Sequence, residues 1–123
     1  MVRLHYALGL TLTRLKRPDE ALDELRRAAA LAPDQARYAY VYAVGLHSSG
    51  RSGEAMTVLK DTLAQHPGDR ATLSALISFS RDAGDFGAAL GYAEQLARMM
   101  PGDPGLSALI EGLRRQTTKP DPG

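Results

Sequence analysis

The side chains in this chain best suited to ligating a metal or moving a proton are three histidines, His5, His47 and His66. A metal site built on a helix needs a second ligand three or four residues away, on the same face. Neither His5 nor His47 has a histidine or carboxylate at that spacing, and His66 precedes Pro67 in a turn. There is no cysteine, so thiolate nucleophiles, zinc knuckles and disulfides are excluded within this chain. Glycine is frequent, yet no phosphate-cradling pattern follows a strand, and the serines occur without a nucleophile elbow. The acidic pairs Asp19-Glu20 and Asp23-Glu24 lie beside arginines and read as helix-surface charge. No catalytic residues, no metal and no cofactor are expected.

Fifteen basic and fourteen acidic side chains leave a formal charge of +1. That balance gives no general attraction to nucleic acid or to anionic membranes. No apolar run approaches the ~18 residues of a membrane span. The N-terminus lacks the basic segment, apolar stretch and cleavage site of a secretory signal. The chain is therefore expected in the cytoplasm, or else is a piece of something longer, because a helical pattern begins at once with no capping residue before it.

What remains is a repeat. Pro33, Pro67 and Pro101 are each 34 residues from the next, and Ala21, Ala55 and Ala89 keep the same interval. Leu22, Met56 and Leu90 follow those alanines, and the series Leu8, Tyr42, Leu76 and Gly9, Ala43, Ile77 recur with them. Within each period a helical segment, a short break and a second helical segment lead to the proline. The breaks read Lys16-Arg17-Pro18-Asp19, Gly50-Arg51-Ser52-Gly53 and Gly84-Asp85-Phe86-Gly87. Gly50 and Gly84 suit the left-handed residue that ends a helix, and Pro18 suits a first helical turn. Asp69 and Asp103 are candidate N-caps. The pattern predicts helices over 2–15, 19–31, 36–49, 53–65, 70–83, 87–99 and 104–115. Tyr38, Tyr40 and Tyr42 alternate like a strand, but their 34-residue counterparts are helical, and that context decides.

With these series in hand, the chain resembles the tetratricopeptide repeats over roughly residues 2–101. The resemblance implies an all-α fold, a right-handed α-solenoid of three antiparallel hairpins (about 2–35, 36–69 and 70–103) closed by a seventh, capping helix over 104–116. It also implies close helix crossings at the small residues: Gly9 or Ala43 against Ala21 or Ala55, with Ile77 opposite Ala89 a looser match. Leu8, Leu12, Leu25, Tyr42, Leu46, Leu59 and Leu76 would fill the space beside them. The chain departs from the family at His5, Ala39 and Leu73, where tryptophan is favoured, and at Leu25, Leu59 and Ala93, where a bulky aromatic is. Ser80 and Ala93 dilute the third repeat, which is expected to be the least tightly packed. In the capping helix, Leu106, Leu109, Ile110 and Leu113 form an apolar stripe, while Glu111, Arg114, Arg115 and Gln116 face water. Residues 117–123 read as a disordered tail.

The resemblance further implies a concave face lined mainly by the first helix of each hairpin. Carried over position by position, it comprises Arg3, Tyr6, Leu10, Thr13 and Arg14, then Arg37, Tyr40, Val44, His47 and Ser48, then Ser74, Ser78, Arg81 and Asp82. Arginines fork onto carboxylates and tyrosines offer flat area with a hydroxyl, so a protein or peptide partner carrying acidic groups is expected. The lysine and asparagine clamp of chaperone-binding members is absent: Tyr6, Leu10 and Val41 stand there, and the chain has no asparagine. Self-assembly into a weak homodimer is the alternative, since an exposed first helix would leave Leu4 and Leu8 partly uncovered. A related class of repeats binds single-stranded RNA, but at 35-residue spacing and with a basic footprint that this chain lacks.

Overall fold

The computed structural model describes residues 1–118, and seven α-helices account for most of them. They are α1 (Val2–Arg14), α2 (Pro18–Leu31), α3 (Ala36–Ser48), α4 (Ser52–Gln65), α5 (Arg70–Asp82), α6 (Phe86–Met99) and α7 (Pro104–Thr118). Among the described residues there is no strand, and the tyrosine-rich segment is helical throughout. No helix among them is long and apolar enough to cross a membrane. Two compact units divide the chain, Met1–Thr72 and the residues from Leu73 onward, with the boundary falling inside α5.

Each hairpin closes by the same turn, and its chemistry explains why the breaks are short. Lys16 N–H donates to Thr13 O at 3.1 Å and Arg17 N–H to Leu12 O at 2.9 Å. Gly50 and Arg51 repeat the pair onto His47 and Leu46, and Gly84 and Asp85 repeat it onto Arg81 and Ser80. This is the Schellman arrangement, which satisfies two of the carbonyls that a helix end orphans and requires one left-handed residue. Gly50 (φ 80°) and Gly84 (φ 77°) take that conformation as expected. In the first hairpin the same position is held by Lys16, at φ 60°.

Proline closes each period through the residue before it. Ala32, His66 and Met100 sit at φ between −130° and −135° and ψ between 61° and 69°, off the helical region. Proline Cδ disfavours the helical conformation in its predecessor, which stops α2, α4 and α6 at equivalent points. His66 adds a link between successive repeat ends, its Nε2 donating to Pro33 O at 2.9 Å. The next helix then starts on a cap: Asp69 accepts from Thr72 N–H at 3.0 Å and Asp103 from Leu106 N–H at 2.9 Å. Gln35, the matching residue before α3, makes no side-chain cap. Asp85 caps α6 by accepting from Ala88 N–H at 3.1 Å. At the same place in the other hairpins, Arg17 and Arg51 instead pair with Glu20 and Glu54, three residues on.

The first unit is built on α1 against α2, α2 against α3, and α3 against α4. Its closest crossing is at Gly9, where a Cβ would stand 2.7 Å from the Leu25 side chain and 3.3 Å from Ala21 O. Ala43 and Ala55 are fully buried at the second crossing, with Leu46 and Leu59 beside them. Burying each such leucine contributes about 1.5–3 kcal/mol. Leu8, expected in this set, is 41% exposed, because no helix covers that side of α1. Tyr42 and Leu12 are only half-buried.

In the second unit, Ile77, Ala89 and Ala93 are buried and α7 packs on α6 through Leu106 and Leu113. Ser80, where the second hairpin has Leu46, is 1% exposed, and its hydroxyl has no partner among the described residues. Glu111, Arg114, Arg115 and Gln116 are exposed, as the stripe required. Helix α7 runs on through Thr118, beyond the expected end at 115. The Thr117 and Thr118 hydroxyls both donate to Arg114 O, at 2.9 and 3.0 Å. The rest of the expected tail, 119–123, lies outside the described residues.

Lys16→Gly removes the left-handed strain and should raise stability by about 0.5–1 kcal/mol in a denaturant titration. Gly9→Ala should lower it by about 1 kcal/mol or more, because overpacking at Leu25 outweighs the gain in helix propensity.

Candidate functional site

Helices α1 and α3 stand on either side of α2 and leave, above it, a cavity of about 500 Å³ that is open to solvent on one side. Its walls come from Leu10 and Thr13 of α1 and from Val41, Val44 and Ser48 of α3, and its floor from Ala21, Leu22 and Leu25 of α2. Helical spacing makes this possible. Leu10 and Thr13 lie one and two turns beyond Tyr6, and Val41, Val44 and Ser48 follow Arg37 at intervals of four, seven and eleven. Gly45 keeps the floor accessible: a Cβ there would stand 3.0 Å from Leu22 Cδ2. The lining is apolar apart from hydroxyls and one ionisable group, Lys16, which is the left-handed residue of the first turn.

The stripe also carries a ring cluster. Tyr6 meets Tyr38 edge-on, with centroids 5.2 Å apart and planes at 68°, and the Arg37 guanidinium lies 5.6 Å from the Tyr6 ring centre. Edge-on rings and a guanidinium over a ring face are both favourable arrangements of the aromatic quadrupole. Tyr38 is 9% exposed and packs with Ala28 and Ala32, against which Val2, Tyr6 and Ala29 also rest. Tyr6 therefore serves the core as well as the surface.

The structure thus brings together Leu10, Thr13, Val44 and Ser48 around one cavity, and Tyr6 and Arg37 in one cluster. Arg3 and Arg14 are exposed on α1, and Tyr40 is half-buried on α3. His47 Nδ1 hydrogen-bonds the Ser52 hydroxyl at 3.1 Å. Thr13 turns its hydroxyl back to Gly9 O at 2.9 Å. In the second unit Ser74 is exposed, while Ser78, Arg81 and Asp82 line a separate depression with Phe86. Lys16, Leu22, Val41 and Gly45 were not among the expected site residues. Val41 could have been found from its spacing to Arg37 and Val44, whereas Lys16 has no signal until the turn is seen.

The residues that might have carried other chemistry are engaged structurally. His5 Nδ1 donates to Glu24 Oε2 at 2.5 Å across the α1–α2 hairpin, with both side chains 18% exposed. Asp23 accepts from Arg26 at 2.8 Å and lies 3.0 Å from Arg27. The Arg26 hydrogen bond, with help from the Arg27 charge, holds the Asp23 carboxyl below its usual range. Its contribution to stability is present at neutral pH and lost as pH falls through that lowered value. No group of three potential ligands gathers as a metal site among the described residues.

A model of the tetratricopeptide repeat family matches residues 12–78, just over half of the chain. The chain belongs to the tetratricopeptide repeat family. Members of this family generally mediate protein–protein interaction and are typically non-catalytic. A comparison with curated proteins finds no match.

The second hairpin has Ala39 and Val58 where the first has His5 and Glu24. Removing His5 alone (His5→Ala) should cost about 1 kcal/mol, because it leaves half-buried Glu24 with only the looser Arg27 contact at 3.9 Å. The double change His5→Ala/Glu24→Val should recover most of that loss, as read by thermal melting.

Proposed function

We propose that the α1–α3 face of the first unit is a peptide-binding site that seats an apolar side chain in the cavity and a carboxylate against Lys16. The observation that carries this reading is the cavity itself: an apolar chamber of about 500 Å³ whose only ionisable lining group is a lysine. Ligand pockets commonly have this size and this largely apolar lining with a few polar groups. This one has room for an apolar side chain together with its neighbours in a peptide. Lys16 holds a backbone conformation that the other two hairpins give to glycine. A non-glycine residue kept in the left-handed region, beside a cavity, is a cost that a binding role accounts for.

Arg37, one turn before Val41 on the same stripe, supplies a second cation, stacked on Tyr6 and so partly pre-ordered for a carboxylate. Tyr40, Arg3 and Arg14 extend the polar rim, and His47 closes the stripe at the end of α3. The ligand is thus a segment of a protein partner in which acidic residues flank an apolar anchor.

Display of a random peptide library on the protein, followed by titration calorimetry of the selected peptides, tests this. Leu10→Glu should weaken binding about tenfold or more, since it places a charge in the chamber. Arg37→Ala with Tyr40→Ala should weaken it without unfolding the protein. Lys16→Gly should lower affinity for acid-bearing peptides while stabilising the fold. Selected peptides that bind Leu10→Glu as well as the parent, or that perturb amide resonances only outside α1–α3, would defeat the reading.

A further inference from the structure

A second recess in the first unit shares no lining residue with the cavity. It lies over α3, between α2 and α4, and has a volume of about 260 Å³. Ala29 and Ala30 of α2 and Val58 and Asp61 of α4 form its sides, and Ala39 and Tyr42 of α3 its floor. In α2 and α4 the lining residues are adjacent, three or four apart, so each helix offers one face to it.

The recess follows from residue 39. The same position of the repeat holds His5 in the first hairpin, tied to Glu24, and Leu73 in the third, which is fully buried. Ala39 is half-buried and ends at its methyl group, and Val58 stands across from it in place of Glu24. The two alanines of α2 are equally short. What opens to solvent here is therefore the volume that a longer side chain at residue 39 would take. The half-buried Tyr42 ring adds an aromatic surface, which a second ring can meet edge-on.

The rim carries a charge without a partner. Arg26 bonds Asp23 at 2.8 Å, and His66 Nε2 is directed to Pro33 O at 2.9 Å. Asp61 is exposed and makes neither a hydrogen bond nor an ion pair among the described residues. Thr57, Val58, Ala64 and Gln65 stand three and four positions from it, so its own helix supplies no cation.

We infer that this recess seats an aromatic side chain of a protein partner, with a lysine or arginine next to it in the partner's sequence meeting Asp61. The ring supplies most of the affinity, and the exposed ion pair selects the neighbouring residue. The sign is opposite to that of the cavity, where Lys16 favours a carboxylate, so the two recesses take different segments and neither depends on the other.

Acetyl-Trp-Lys-amide and acetyl-Trp-Glu-amide, titrated separately while backbone amide resonances are followed, test the inference. The lysine peptide should bind with a dissociation constant on the order of a millimolar, with its largest shifts at Ala29, Ala39 and Val58. The glutamate peptide should bind about two- to fivefold more weakly. Asp61→Asn should abolish that preference, Ala39→Leu should abolish binding of both peptides by filling the recess, and Leu10→Glu should alter neither. Should Ala39→Leu fail to fold, the Asp61→Asn comparison decides alone. Equal affinity of the parent protein for the two peptides, or a preference that survives Asp61→Asn, overturns the inference. Shifts confined to residues outside the recess overturn it too, as does a folded Ala39→Leu that binds like the parent.

Discussion

The close approach of paired helices at residues with little or no side chain is the constraint from which the rest follows. At Gly9 the backbone of α2 and the Leu25 side chain come so near that no Cβ fits, and Ala43 and Ala55 are fully buried at the next crossing. Contact at that range lets leucines on either side interlock, and interior packing of this density is felt down to a single methyl group. It also fixes how far the chain has to travel between helices. A three-residue turn suffices, and a turn that short must pass through the left-handed region. The identity of residues 9 and 43 is in this sense tied to that of residues 16 and 50.

The repeated turns place one first helix beside the next, and that is what makes a surface. In the first unit α1 and α3 flank α2 and leave the cavity between them, so the cavity exists because two hairpins are offset by one period. Single residues then adjust it. Gly45 holds the floor open, Lys16 puts one positive charge at the wall, and Tyr6, Tyr38 and Arg37 stiffen the other end of the stripe. Where hairpin chemistry varies, it varies as a set. Arginine before a second helix comes with glutamate three residues on, and aspartate there comes with an uncharged Ala88.

Much of this was legible in the sequence because its causes are local. Proline at 33, 67 and 101, glycine at 50 and 84, and aspartate at 69 and 103 act on their own backbone or on a neighbour three residues away, so periodicity gave each helix end to within one residue up to α7. What depends on contact between elements was less legible. Leu8 has the residue type of a core position and lacks only a helix to cover it. His5 looked solitary because Glu24, its partner, is nineteen residues away on another helix. The candidate binding residues of α1 and α3 follow helical spacing that the sequence shows, yet their division into a cavity and a ring cluster depends on α2 beneath them. Lys16 gave no warning, since lysine is unremarkable until its φ is known.

The edge-on contact of Tyr6 and Tyr38 has a practical side. The chain contains no tryptophan, so its near-ultraviolet optical activity comes from tyrosine, with a small part from phenylalanine. Two phenol rings held 5.2 Å apart at a fixed angle couple their transitions, and they belong to different hairpins. Their signal reports the docking of α3 onto the first hairpin rather than helix content, which the far-ultraviolet region records separately. The protein thus carries an unlabelled spectroscopic gauge of the geometry that forms its cavity.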